Sequence, residues 1–350
     1  MNYILDPMLF AFDVEATKEE LESYLMEMQV LGDWWNDHRD EMYVLSDMAY
    51  ELGDFYPCDE LLRPLLKKYN IEWYSLHDLR RVMIRYLEKS KYIDTLCEEL
   101  IIDKQEMQIV EREGITDGDL EEGLSDSLMK LIWFMFCLKM IHNDKDDAYV
   151  VLSKGVTEKM KVDFRYETIE TSNGNSRVVA NDGSMNLTCY GSLTDFLRKP
   201  ETPSRLWRMA ENREDLELGL RVAIYQHHEI DELKEALDNY KFVVQASFWD
   251  NYVKNKYADR QKDIESTIKS MTNVVLEIYE GNEHNWRTGK KGSNPYMYHK
   301  DNNGVEYAAM RKNVTTSIKL HYWKKSPMFR FANIGEHDFE DFVWEDISNF

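Results

Sequence analysis

Residues 311–337, RKNVTTSIKLHYWKKSPMFRFANIGEH, decide the fold of the C-terminal part of the chain. Ile318, Leu320 and Tyr322 alternate with Lys319, His321 and Trp323, the period of two expected of a strand with distinct faces. Lys325-Ser326-Pro327 supplies a turn, and Met328–Ile334 reads as the next strand. Upstream, Tyr296–Lys300 and Val305–Arg311 flank Asp301-Asn302-Asn303-Gly304, whose Asn-Gly pair accommodates positive φ, so the two runs read as a hairpin. Helices come first. Arg213–Gln226 and Asp231–Tyr240 read as helices, and in Asp259–Glu280 the residues Ile264, Ile268, Met271, Val275 and Ile278 recur on one helical face. Helices followed by an antiparallel sheet predict an α+β domain over 204–350, with the helices on one sheet face and the other face open.

The N-terminal part reads as mixed α/β and largely helical. Asn2–Asp6, NYILD, is a short apolar strand ending in an acid. Leu21, Leu25, Met28, Leu31 and Trp34–Trp35 predict a helix over 17–37, and Met42–Leu45 a second strand with Ser46 as N-cap for Asp47–Leu52. Helices are predicted over Pro57–Lys68 and from Ser75 to Leu87. A long helix over Leu120–Ile141 is apolar nearly all round in its second half, which marks a central core helix. Tyr149–Leu152 and Lys161–Glu170 read as strands, Thr171–Met185 as an exposed hairpin or loop, and Pro200–Pro203 as a linker. The expected division is an acidic α/β domain over 1–155, a β-rich connecting segment over 156–203 and the α+β domain over 204–350.

The 350 residues carry 43 Lys+Arg against 65 Asp+Glu, a net charge of −22, which argues against a general nucleic-acid coat protein. The charge is uneven: residues 241–330 carry 16 Lys+Arg and 9 Asp+Glu, net +7, within an otherwise acidic chain. The same segment is aromatic, with Trp249, Tyr252, Tyr257, Trp286, Tyr296, Tyr298, Tyr307, Tyr322 and Trp323. Cations interleaved with rings suit single-stranded nucleic acid, which is held by its phosphates and by stacking. The alternative is a basic face docked on the acidic remainder of the chain, in which case isolated 205–350 would bind RNA more tightly than the whole. No run of about 18 apolar residues is present, so no membrane helix is expected. The apolar N-terminus has no Lys or Arg ahead of it, and Cys58, Cys97, Cys137 and Cys189 lie far apart. A secretory signal and a disulfide framework are therefore not expected, and the expected location is cytoplasmic.

Arg311, the strand Ser317–Trp323 and the run Phe329–His337 together resemble the RelE/ParE superfamily of toxin-like domains, over roughly residues 240–345. The resemblance implies a helical pair before an antiparallel sheet. RelE-type members are metal-independent ribonucleases acting on ribosome-bound messenger RNA, whereas ParE-type members share the fold and poison DNA gyrase, so fold alone does not choose between them. Carried onto this chain, the ribonuclease pattern implies Arg311 as phosphate clamp, with His337 and His321 as acid/base residues. Lys319 shares a strand face with His321, and Arg330 adds a cation on the next strand. The basic loop Asn285–Asn294, with Arg287, Lys290 and Lys291, is a further candidate for phosphate contact. Each has a structural alternative: His321 as a half-buried sheet residue, His337 as a hydrogen-bonded strand-end residue, and Arg311 as the partner of an acid such as Glu306. No metal or cofactor is expected for this chemistry. By analogy the expected role is a toxin-like effector in anti-phage defence or stress response. Its expected partners are RNA or the ribosome and a protein encoded nearby, with no membrane.

Tyr3–Phe10 is similar to the first strand of PIN-like nuclease domains, where the strand ends in a metal-binding Asp, here Asp6. Asp147–Lys154 is similar to a late strand of that fold, but Ser153 and Lys154 stand where the family expects an acid. The acidic run from Glu111 to Glu122 could add oxygens, or be a solvated loop and helix N-terminus. A metal-dependent PIN-like nuclease and a non-enzymatic scaffold or nucleic-acid mimic are thus the two alternatives. Arg221 and His227 have a HEPN-like R-x5-H spacing that does not place them on one helical face.

Overall fold

The computed structural model describes residues 1–97, 102–115, 119–172, 175–228, 240–288, 295–336 and 344–345. The chain is mixed α/β and forms two compact units, Met1–Phe196 and Leu197–Phe350, each built on a mixed sheet. Among the described residues no helix is long and apolar enough to cross a membrane.

In the first unit, β1 (Asn2–Leu5) is followed by α1 (Lys18–His38), β2 (Met42–Val44), α2 (Met48–Leu52), α3 (Asp59–Tyr69), α4 (Leu76–Lys89), β3 (Lys91–Tyr92) and α5 (Ile93–Leu96). Then come β4 (Ile102–Arg112), α6 (Asp126–His142), β5 (Tyr149–Leu152), β6 (Glu158–Ser172) and β7 (Asn175–Tyr190). The seven strands lie in the order β3-β2-β1-β5-β7-β6-β4. Strands β3, β2, β1, β5 and β7 pair in parallel, and β6 runs antiparallel to both β7 and β4. Helix starts follow local chemistry. Thr17 caps α1 through a reciprocal box in which Thr17 Oγ1 accepts from the Glu20 N–H at 3.3 Å and Glu20 Oε2 accepts from the Thr17 N–H at 2.8 Å. Ser75 and Ser125 cap α4 and α6. Leu128, Leu131, Ile132, Met135 and Phe136 of α6 are buried, and the Phe136 ring stacks on Phe164 at 3.9 Å. That ring leaves no room for a side chain at position 183: a Cβ on Gly183 would lie 2.4 Å from Phe136 Cζ.

Two expectations change here. The segment 156–203 is no connector, because β6 and β7 pair with each other over their whole lengths and belong to the first sheet. Of the two readings of Thr171–Met185, hairpin or loop, the hairpin is the one found: residues 171–172 end β6 and residues 175–185 belong to its partner β7. The long helix begins at Asp126 rather than Leu120, since Ser125 caps it.

α7 (Leu193–Arg198) carries the division between the units, which falls between residues 196 and 197. The second unit continues with α8 (Thr202–Arg208), α9 (Arg213–Tyr225), β8 (Lys241–Val244), α10 (Ala246–Lys254), α11 (Gln261–Val275) and β9 (Glu283–Asn285). The strands β10 (Tyr298–Lys300), β11 (Glu306–Asn313), β12 (Ile318–Lys325) and β13 (Met328–Glu336) complete it. The expected helix over 231–240 falls on residues 231–239, outside the described ones. The sheet order is β10-β11-β12-β13-β8, with β9 also on β11. The sheet is not purely antiparallel: β8 adds in parallel beside β13. A four-residue run, KFVV, carries too little pattern to distinguish a buried strand from the end of a helix.

Candidate nucleic-acid interface

The register of β11, β12 and β13 sorts the basic residues onto two faces. Arg311 lies opposite His321, Asn313 opposite Lys319, and Ala309 opposite Trp323. Across the next pair, Trp323 lies opposite Arg330. Because side chains alternate along a strand, Tyr307, Ala309 and Arg311 share a face with Lys319, His321 and Trp323, while Met310, Lys312, Leu320, Tyr322 and Lys324 occupy the other.

On the second of these faces each lysine has an acid. The chain leaving α11 supplies Glu277, Glu280 and Glu283. Lys312 Nζ lies 3.3 Å from Glu280 Oε2, and Lys324 Nζ lies 3.5 Å from Glu277 Oε1 and 3.7 Å from Glu283 Oε1.

The first face is arranged differently. Lys319 is 5% exposed, and among the described residues its ammonium donates to Thr316 O alone, at a long 3.4 Å. Arg311 is half-buried; its Nε is enclosed without a hydrogen-bond partner, and its guanidinium lies 5.3 Å from the Trp286 ring centre. Among the described residues neither cation forms an ion pair, and the expected alternative of Arg311 with Glu306 does not occur: Glu306 sits 3.8 Å from Lys300 Nζ. Burial lowers the Lys319 pKa below the usual lysine value, and the neighbouring Arg311 charge lowers it further. His321 is 1% exposed, with its ring 5.0 Å from Trp286. Arg330 is buried too; its guanidinium lies over the rings of Tyr307 and Trp344, and its Nη1 donates to Glu345 O at 3.3 Å.

This face is not the open surface the sequence predicts. Tyr307, Ala309, Trp323 and Ala332 form a small second core, and Trp286, Met297, Val305, Met328 and Trp344 pack on it. The reason is a backbone tie: the Trp286 N–H donates to Ala309 O at 2.8 Å and Trp286 O accepts from the Met297 N–H at 2.9 Å, which lays the indole along β11. Trp344 lies beyond the basic segment and carries no periodicity that would have placed it here. Of the remaining candidates, Arg287 stacks on Tyr296, with its guanidinium 4.2 Å from the ring centre. His337, Lys290 and Lys291 lie outside the described residues.

In the first unit Asp6 ends β1, completely buried. Its Oδ1 accepts from Ser127 Oγ at 2.6 Å and the Met8 N–H at 3.2 Å, and its Oδ2 from Ser153 Oγ at 2.6 Å and Ser125 Oγ at 3.1 Å. A hard divalent cation wants several converging, mostly anionic oxygens. Here one carboxylate meets three neutral hydroxyls that already fill its acceptor sites, so this donor set does not fit such an ion. The three serines come from the start of α6 and the end of β5, and they satisfy a buried charge by hydrogen bonding.

The chain matches no protein-family model, and comparison with curated proteins and with solved structures returns no match.

Proposed function

We propose that the second unit is an RNA-directed, RelE/ParE-like domain of a toxin-like effector, and that its Arg311–Lys319 face holds the phosphates of single-stranded RNA. The observation carrying this reading is a pair of cations, Arg311 half-buried beside the Trp286 ring and Lys319 buried, that form no ion pair among the described residues, on a sheet whose opposite face pairs Lys312 and Lys324 with carboxylates. Keeping two like charges close in a low-dielectric site is unfavourable unless an anion arrives, and phosphate is the anion that rings and cations together select. Binding of a labelled, unstructured oligoribonucleotide followed by anisotropy tests the reading. Arg311→Gln and Lys319→Gln are each expected to weaken it about tenfold, the worth of one charge-assisted hydrogen bond. Unchanged affinity in both variants rules the reading out.

Cleavage is a second reading, favoured by one observation: His321 lies directly opposite Arg311 and one alternation from Lys319. A base could then take a 2′-hydroxyl proton while the two cations hold the phosphate. With His321 buried beneath Trp286, that chemistry requires the indole to move first. Metal-free incubation with ribosome-bound messenger RNA, comparing wild type with His321→Ala, decides it: cleavage lost in the variant supports this reading, and no cleavage by either protein removes it. The metal-dependent alternative centred on Asp6 has no support from the donor set there.

A further inference from the structure

The ring of Trp344 occupies a seat on the same face that its own chain does not need for phosphate binding. It stacks on His299 with 3.9 Å between ring centres and 27° between planes. It meets Tyr307 at 5.2 Å and Trp323 edge-on at 5.3 Å, and the Arg330 guanidinium lies 4.8 Å over it. Glu345, the next residue, clasps it in place: its Oε1 pairs with Arg213 Nη1 at 2.9 Å and its Oε2 accepts from the Ala246 N–H, at the start of α10, at 2.7 Å.

We propose that the seat formed by His299, Tyr307, Trp323 and Arg330 is a nucleobase subsite, which Trp344 fills in the free protein and vacates to an unpaired base of bound RNA. This rests on the RNA reading above and adds to it which part of the nucleotide goes where. The chemistry is that of a base. The seat offers one imidazole to stack on, two aromatic walls and a guanidinium over the ring face, and a flat bicyclic indole already satisfies it. The spacing agrees. The Ala309–Trp323–Arg330 row lies one two-residue step, roughly 7 Å, from the row of Arg311 and His321, and two steps from Lys319. A base in the seat therefore places its backbone along Arg311 and Lys319, the cations with no ion pair among the described residues. The Glu345 carboxylate, paired with Arg213, is the anionic half of the plug, and the neutral Glu345 O, which accepts from Arg330, is an acceptor that RNA oxygens would replace.

The test is RNA affinity in the full chain, measured with an unstructured oligoribonucleotide and with the same oligomer carrying abasic riboses. Trp344→Ala is expected to bind the intact oligomer about tenfold more tightly than wild type, the scale of one base stack, and the abasic oligomer no more tightly. Glu345→Gln, which loosens the clasp and keeps the ring, is expected to move affinity the same way by less. A fluorescent purine analogue in the oligomer should be quenched on binding to Trp344→Ala, and His299→Ala in that background should abolish the quenching. Equal tightening for intact and abasic oligomers in both variants, or no tightening in either, overturns the subsite. If wild type and every variant fail to bind RNA at all, the broader reading falls instead, and the two failures are distinct.

Discussion

Lys312 and Lys319 are both buried, on adjacent strands, and on opposite faces of one sheet. Lys312 lies 3.3 Å from the Glu280 carboxylate. Lys319 has a backbone carbonyl at 3.4 Å, a neighbouring arginine and, among the described residues, no acid. A buried charge that exists to hold a fold together is found paired, because an unpaired one is costly. The difference teaches that alternation along β11 and β12 separates two environments: the face reached by the chain after α11 is held by ion pairs, and on the opposite face Arg311 and Lys319 form no ion pair among the described residues.

The largest expected effect is therefore a difference in sign. Lys312→Gln should lower unfolding stability by about 3 kcal/mol, the low end for breaking a buried pair because Glu280 is partly exposed, while Lys319→Gln should be neutral or stabilising. Urea midpoints measure both, and destabilisation by both to the same extent would erase the distinction. Next comes salt. For single-stranded RNA each phosphate contact contributes about 0.7 to the slope of log affinity against log salt, so Arg311→Gln with Lys319→Gln should flatten that slope by about 1.4. Lys324→Gln should leave it unchanged. A smaller effect concerns pH. The folded Lys319 pKa lies below the unfolded value, so between the two the unfolded chain binds more protons. Its contribution to stability therefore rises with pH through that window and is fully recovered above the unfolded pKa, whereas RNA affinity falls with pH over the same range. Both trends should vanish in Lys319→Gln, as titrations of stability and affinity would register. Smallest is Glu277→Gln, which removes one partner of the partly exposed Lys324 and should cost at most about 1 kcal/mol with no change in RNA binding.

Much of the second sheet was legible. Alternation in Ile318–Trp323 and the Asn303-Gly304 turn gave β11, β12 and β13 nearly to their ends, because one face of each strand is apolar and the turn demands positive φ; Gly304 has φ 79°. The paired helices also followed from spacing: Ile264, Ile268 and Met271 are buried along α11. In the first unit β4, with KQEMQIVER over 104–112, has no legible strand pattern, and over the start of β7 the sequence leaves hairpin and loop undecided. Their sequences are polar, so the backbone ladder to β6 rather than a hydrophobic pattern identifies them. At the candidate site the shared face of Lys319 and His321 is legible from the alternation along β12, whereas the placement of Arg311 on that face follows from the β11–β12 register. Their enclosure was not legible, because it depends on Trp286, tied to β11 by backbone hydrogen bonds, and on Trp344. Neither tertiary contact leaves a periodic trace. Asp6 shows the converse: a strand-end acid suggests a metal, and only the placement of Ser125, Ser127 and Ser153 around it reveals a hydroxyl cage.

One paired titration tests the central claim most directly: affinity of a single-stranded oligoribonucleotide for Lys319→Gln and Lys312→Gln, at matched low salt and with folding of both verified by circular dichroism. The account predicts about tenfold weaker binding for Lys319→Gln and wild-type affinity for Lys312→Gln, since only one of the two faces carries cations left for an anion. Equal affinities in the two variants, or a loss confined to Lys312→Gln, would contradict it.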